Sequence, residues 1–463
     1  MKLINLQEFE ELIKNSDEQN IIFRNFEISF NDSISLDLSS KSYEFKNCIL
    51  KGERIDFYDF DESNENKHEF HTLAFTDCFI ENDLFIKDCK LYQIVFQNVN
   101  VKSKNFFISS SEINRISISG NPEKYNSIDS LMIFELKGVL THLDFRLTEI
   151  NDTISISDCE FDSVQMNANK LSRFNIKRVT FKGDFDFWKN IILHYSSVRK
   201  STFNNLNTKD TDFGKEIIFE KVEFSGGCSF EKIKNLLKTT MKFTNCNFDK
   251  NVNFDVGKVD MLDFKETYFK GIVSFQDVVC NKISIDKTHF EKVAFFNDFT
   301  INNIEKCNLK TIRIIKNQLI KTENKVDFSK YNSIEYNILL NQENLPFSEK
   351  FLLILNKKSN YFNTDWMLGI KFTLKISLAF FAVLLFVNSI IPNSDYPLII
   401  NSKSEFADVE ITLKYFLKFI FNIGFKDEEI QSNGWLFLIF IFSKILIGFG
   451  VYQTIQAFRK YGK

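Results

Sequence analysis

The sequence predicts an all-β right-handed quadrilateral β-helix of about 20–21 residues per coil, then an α-helical adaptor, then two transmembrane helices. Three observations lead there. Stretches beginning at Phe243, Phe264 and Ile285 superpose at a fixed spacing, so that Phe248, Phe269 and Phe290 align, as do Phe254, Phe275 and Phe296, and Val252, Val273 and Ala294. Within them large apolar residues recur every five or six positions, which is neither the 3.6 period of a helix nor the 2.0 period of a half-exposed strand. Four such steps make one square coil, whose apolar set is buried only against the coils above and below. The third observation is a pair of apolar spans near the C-terminus, each about the 20 residues a bilayer crossing needs.

Residues 1–20 are charged and carry no apolar core of a signal peptide. They read as an amphipathic cap, since an open solenoid end exposes its aromatic stack and unpaired strand edges. The β-helix is expected over 21–315, in roughly ten to thirteen coils. The stretch Ser119–Thr141 reads as an irregular coil or excursion, and an insertion of about three residues near Lys234–Thr239 interrupts the repeat. Composition supports the rod: 54 Phe against 4 Pro is far from the Leu/Ile/Val mixture of an ordinary core. At 463 residues the chain is also too long for one compact core.

Seven of the eight cysteines (Cys48, Cys78, Cys89, Cys159, Cys228, Cys246 and Cys307) stand two residues before a large apolar residue. Residues two apart on a strand face the same way, so these side chains point inward as small apolar fillers. Val252, Thr267, Val273, Thr288 and Val293 are expected in the same slot. There is no CxxC pair, and buried free thiols suit a reducing compartment.

Residues 316–363 form the adaptor, with two helices expected: one with Tyr331, Ile334 and Ile338 at helical spacing, and one starting at Ser348 behind Pro346. The second has an apolar face and the basic pair Lys357 and Lys358, and is expected along a membrane surface. The membrane domain covers 364–463, with spans at Leu368–Ile391 and Trp435–Ile455. Basic residues flank the outer ends of the pair (Lys350, Lys357, Lys358, Lys371, Lys375, Arg459, Lys460, Lys463). The loop between holds Asp395, Glu405, Asp408, Glu410, Asp427, Glu428 and Glu429. Lys/Arg excess marks the cytoplasmic side, which places both termini and the rod in the cytoplasm.

Net charge is only −3, so no global nucleic-acid signal exists. Residues 1–160 are acidic, with 16 basic against 29 acidic residues, and the bland reading is a solvated coil surface. HExxH, GxSxG and P-loop patterns are absent, and Gly448-Phe-Gly450 is no dinucleotide loop. The histidines, His68 and His71 included, read as scattered surface residues. No enzyme, cofactor or metal site is expected.

Within the loop, Ile411–Phe425 is too short to cross and too apolar to sit free in water. It reads either as an interfacial helix within 405–425, the preferred reading, with Lys414 and Lys418 at the headgroups, or as a re-entrant helix ending at Asn422-Ile423-Gly424-Phe425. Lys444 falls near mid-span, where a charge costs about 2.5–3.5 kcal/mol on insertion scales, and the first span offers no carboxylate to pair it. Either tilt, local bilayer thinning or neutralisation absorbs that cost, or, the preferred reading, Lys444 faces a water-filled pore or subunit interface as a basic ring favouring anions, with Gly448 and Gly450 allowing close packing.

The small-residue slot two before a central apolar residue, as in Cys246/Phe248, Val252/Phe254, Thr267/Phe269 and Val273/Phe275, resembles the pentapeptide-repeat family in a divergent, Phe-rich form. Trp366–Thr373 and Ile447–Lys460 resemble the tail of bacterial membrane proteins that join such a rod to a two-span segment. That resemblance implies a bacterial inner-membrane protein. The order span, short helix, span is distantly similar to two-helix cation channels, with Asn422–Phe425 at the filter position; the second filter glycine is missing and Lys426 follows.

Two functions are therefore expected in competition. One is a membrane effector whose spans homo-oligomerise into an ion pore in the lipid bilayer while the rod binds a protein partner. The other is a non-conducting membrane-tethered binding scaffold.

Overall fold

The computed structural model describes residues 1–16, 18–39, 41–59, 71–103, 105–123, 125–234, 237–342, 345–390, 405–421 and 434–459. The chain divides into two compact units, Met1–Ile314 and Ile315–Lys463.

The first unit is a parallel β-solenoid of about 13 turns. One coil shows how sequence makes a square. Thr240–Thr244, Asn247–Phe248 and Val252–Asn253 form three sides, and Lys258–Lys265 covers the fourth before entering the next coil. Each strand pairs in parallel with its counterpart one coil on: Phe243 faces Phe264, Phe248 faces Phe269, Val252 faces Val273 and Val259 faces Cys280. Strand pairing at about 4.8 Å is also the distance at which identical rings stack. The Phe columns accordingly stack face to face: Phe224 on Phe248 at 4.3 Å, Phe248 on Phe269 at 4.7 Å, and Phe254 on Phe275 at 4.9 Å. Neighbouring columns meet edge to face, as Phe243 meets Phe254 at 85°. A Phe in each column satisfies both favourable ring geometries at once, which accounts for the bias in composition.

Two corners of a regular coil turn through the left-handed region without glycine. One corner uses Asn245, Glu266 and Lys287 (φ 53°, 52° and 48°); the other uses Val256, Asp277 and Asp298 (φ 58°, 55° and 55°). Such φ values disfavour most L-residues. At Asn245, Glu266, Val256 and Asp277 the corner is held by its N–H, which donates to the coil beyond, at the carbonyls of Lys265, Asp286, Gln276 and Asn297.

Both ends of the stack are covered. At the N-terminus Lys2–Ile4 adds a strand beside Phe26–Ser29, and helix α1, Leu6–Lys14, follows a reciprocal cap between Asn5 and Glu8. Phe9 of α1 lies 4.8 Å from Phe23 and closes the ring column. At the other end the last strand is Thr300–Ile301, and helix α2 already begins at Leu309 and runs to Lys321. The strands therefore stop short of residue 315, the expected end of the solenoid. The reason is that Ile312, Ile315 and Leu319 are buried at helical spacing, a pattern that the five- to six-residue step of a coil resembles over so short a stretch. Thr311 Oγ1 accepts the Ile285 N–H and satisfies a donor of the final coil.

Other departures are local. Of the two readings of Ser119–Thr141 the irregular coil holds: Asn126–Phe134 pairs with coils on both sides, with a register shift between Ile128 and Ser130. The insertion near Lys234 is real, since 24 residues separate Cys228 from its partner Val252 whereas 21 separate Val252 from Val273. Val293 is only half-buried, and Ala294 takes the inward slot beside Val273. All eight cysteines are buried and free. Burial pushes the Cys89 thiol to about 12, Cys159 to about 11 and Cys246 to about 12. A hydrogen bond with Cys48, and then burial, holds the Cys78 thiol far above its usual range.

The second unit is helical. After α2 come α3 (Lys325–Leu340), α4 (Phe347–Asn360), α5 (Trp366–Ile390), α6 (Glu405–Phe421) and α7 (Gly434–Phe458). The adaptor thus has three helices rather than two. α2 and α3 are joined by a buried ion pair between Lys316 and Glu335. Pro346, not Ser348, is the N-cap of α4, and it makes no side-chain cap bond. The pre-set φ of proline suits a helix start.

Candidate functional site

α5 and α7 are each long and apolar enough to cross a membrane. At 25 residues each they extend about 37 Å, against a hydrocarbon core of about 30 Å. They pack against each other through small residues. A Cβ added to Gly369 would lie 3.1 Å from the Thr454 Cα, and one added to Gly450 would lie 3.2 Å from the Thr373 Cα. Each helix thus offers a glycine to the other's threonine, and the two backbones approach closely at both points. Thr373 and Thr454 turn their hydroxyls back to the carbonyls of Gly369 and Gly450, so neither is left unpaired in an apolar setting. Trp366 stacks on Phe458 at 5.0 Å where the start of α5 meets the end of α7.

The predicted site residues separate here. Gly450 is used inside the hairpin of its own chain. Gly448 faces outward: a Cβ added there would meet nothing within 4 Å. Ile441, Ile445, Tyr452 and Ile455 are exposed at steps of four, three, four and three residues through Gly448, and Ile445 is 61% exposed. That spacing is a helix-packing seam that no described residue of the chain covers. Asn422 and Gly424 lie outside the described residues, as do His68, Lys460, Lys463 and the loop acids Asp395, Asp427, Glu428 and Glu429.

Lys444 is turned inward. Its ammonium donates to the main-chain oxygen of Phe419 in the last turn of α6, and sits over the rings of Phe419 and Phe440 at 4.7 and 4.9 Å. The final carbonyls of a helix have no partner within it, and they carry the negative end of the helix dipole. A lysine is the natural cap for that end, and the two aromatic faces add cation–π attraction. Within its own chain Lys444 thus has a partner in α6, which the expectation of a basic ring at a pore or subunit interface did not include. A search of the sequence for a carboxylate in the first span misses this partner, because the counter-charge is a helix terminus.

The same contact seats α6 between the spans. Phe419, Phe381, Leu384 and Ile447 form a buried cluster, with Phe416, Phe440 and Ile439 around it. Phe381 lies 5.4 Å from Phe416 and 5.7 Å from Phe419. Phe381 is near the middle of α5 and Ile447 near the middle of α7. The C-terminal half of α6 thus packs at mid-length of the hairpin.

A polar latch ties α4 to the hairpin. Asn360 is fully buried; its Nδ2 donates to the Gln453 carbonyl at 2.9 Å, and Gln453 Nε2 donates to Asn356 Oδ1 at 3.0 Å. Tyr361, Phe362 and Asn363 then turn through the left-handed region (φ 49°, 57° and 70°) to redirect the chain into α5. Three successive non-glycine residues there are strained and need the surrounding bonds to hold them. Gln453, a polar residue within an apolar span, is the signal in the sequence for this latch.

The solenoid also carries a groove of about 460 Å³, lined by residues including Asp184, Asp186, Asn205, Asn207, Asn251 and Asn253. Its amides are engaged between coils: Asn205 donates to Asp184 at 2.9 Å, Asn207 to Asp186 at 3.1 Å, and Asn251 accepts the Ile272 N–H at 3.0 Å. These bonds hold coil to coil. Among the described residues no group of three His, Cys, Asp or Glu side chains converges on a metal-sized site.

No family model, curated protein or solved structure matches this chain. Its function has to be read from its own geometry.

Proposed function

We propose that this chain is a non-enzymatic membrane effector: α5 and α7 cross the bilayer, copies assemble through the outward seam of α7 around Gly448, and the assembly passes ions. The cytoplasmic solenoid binds a protein partner that governs it. The observation that carries this reading is the seat of α6. A tether has no use for a third helix driven to mid-span and capped there by a lysine. A helix ending at that depth puts polar backbone where hydrocarbon would be, which membranes tolerate only beside protein or water. Because the Lys444 charge is held at the negative end of α6, no anion selectivity is assigned to it.

The mass of the detergent-solubilised full chain tests assembly. A homo-oligomer is expected, and a strict monomer leaves only a tethered scaffold. Protease added outside intact cells tests orientation. Cleavage is expected between the spans and not in 1–301; cleavage within the solenoid would invert the arrangement.

A further inference from the structure

α4 presents an apolar surface that the described residues of its own unit leave uncovered. Phe347 is 84% exposed, and Phe351 and Ile354 are exposed on the same line, one turn apart. Lys358 continues that line, while Lys350 and Lys357 flank it; Glu349 points to the opposite side. The other face of α4 is spent on the latch, where Ser359 and Asn360 are buried and Asn360 is bonded to Gln453. The C-terminal end of α4 is thereby fixed to the point where α5 begins and α7 ends. Lys371 and Lys375 are exposed on the first turns of α5, and Arg459 is exposed just past α7.

Resting on the reading that α5 and α7 span a bilayer, we infer that α4 lies in the headgroup layer of an anionic lipid leaflet. Phe347, Phe351 and Ile354 enter the acyl boundary, and Lys350, Lys357 and Lys358 contact lipid phosphates. Two features choose lipid over a protein partner. The latch pins this face beside the ends of the two spans, where headgroups lie. The charge around the stripe is of one sign, complementary to an anionic surface, and each lysine near such a surface adds about a fivefold preference for it. α4 then reports the leaflet's charge directly to the hairpin, because Asn356 and Asn360 sit on the same helix as the stripe.

The test uses the full chain with Phe351→Cys carrying an environment-sensitive fluorophore; the native cysteines are buried. It is reconstituted in bilayers of zwitterionic lipid, with and without anionic lipid. The expected result is a blue-shifted emission, quenched by a nitroxide at shallow acyl depth, stronger with anionic lipid and weakened by salt. Lys350→Gln, Lys357→Gln and Lys358→Gln together should abolish the dependence on anionic lipid. A water-like emission in both bilayers, or a shielded emission that neither anionic lipid nor salt changes, overturns the inference. A second label at Phe442→Cys, an exposed position near the middle of α7, separates the two readings. Deep quenching at 442 without quenching at 351 removes only the role of α4, whereas no quenching at 442 removes the membrane reading beneath it.

Discussion

Lys444 of α7 donates a hydrogen bond to the main-chain oxygen of Phe419 in α6, across a sequence separation of 25 residues. One ammonium answers two costs at once: its own burial among apolar residues and the open carbonyl end of α6. Removing the charge should release the helix. In Lys444→Leu, the C-terminal turn of α6 should exchange its amides faster with solvent while α5 and α7 keep their protection. Unchanged exchange at 416–421 would show that the aromatic cluster alone seats the helix.

The two glycines of α7 should behave differently. Gly450→Leu forces a side chain into Thr373, where even a Cβ comes within 3.2 Å of its Cα, so the hairpin should lose its packing and the chain its yield of folded protein. At Gly448 an added Cβ meets none of the described residues, so Gly448→Leu should fold normally while lowering the oligomer mass. Equal damage from both would mean that the outward seam has no role in assembly.

Phe264 lies between Phe243 at 5.2 Å and an edge-on Phe275 at 5.8 Å, and is fully buried. Phe264→Ala should cost about 3–5 kcal/mol of solenoid stability. Leu193→Ala, at an exposed position, should stay within about 0.5 kcal/mol. Chemical denaturation followed through the solenoid signal compares them; a similar small loss at both would contradict the ring columns as the core.

The square coil is legible in the sequence because stacking in a solenoid forces like residues into one column, and Phe248, Phe269 and Phe290 declare that column directly. The corners are not. Val256 and Glu266 carry no mark of a left-handed φ, since what holds them is a hydrogen bond to the neighbouring coil and not local propensity. The end of the rod is hard to place for a related reason: Ile312 and Ile315 are apolar residues at a spacing that both a worn coil and a helix allow. In the hairpin, length and apolarity mark α5 and α7 plainly. The partner of Lys444 is hidden, because a helix terminus supplies charge without any charged residue.

Burial raises the thiols of Cys159 and Cys246, to about 11 and about 12. The folded chain therefore binds protons that the unfolded chain has already lost above about pH 9. This stabilising contribution is complete below the unfolded thiol value and falls as pH rises through it toward 12. Denaturation midpoints should drop across that alkaline window, less so in Cys246→Val. Thiol reagents should label neither residue at neutral pH without denaturant; rapid native labelling would place these side chains outside the rod.

Ion flux through liposomes holding the purified full chain tests the central claim most directly, with Lys444→Leu alongside. The account predicts flux from the parent and an altered flux from the variant, both inserted and assembled to the same degree. A parent that inserts and assembles without passing ions, or a variant indistinguishable from a conducting parent, would contradict it.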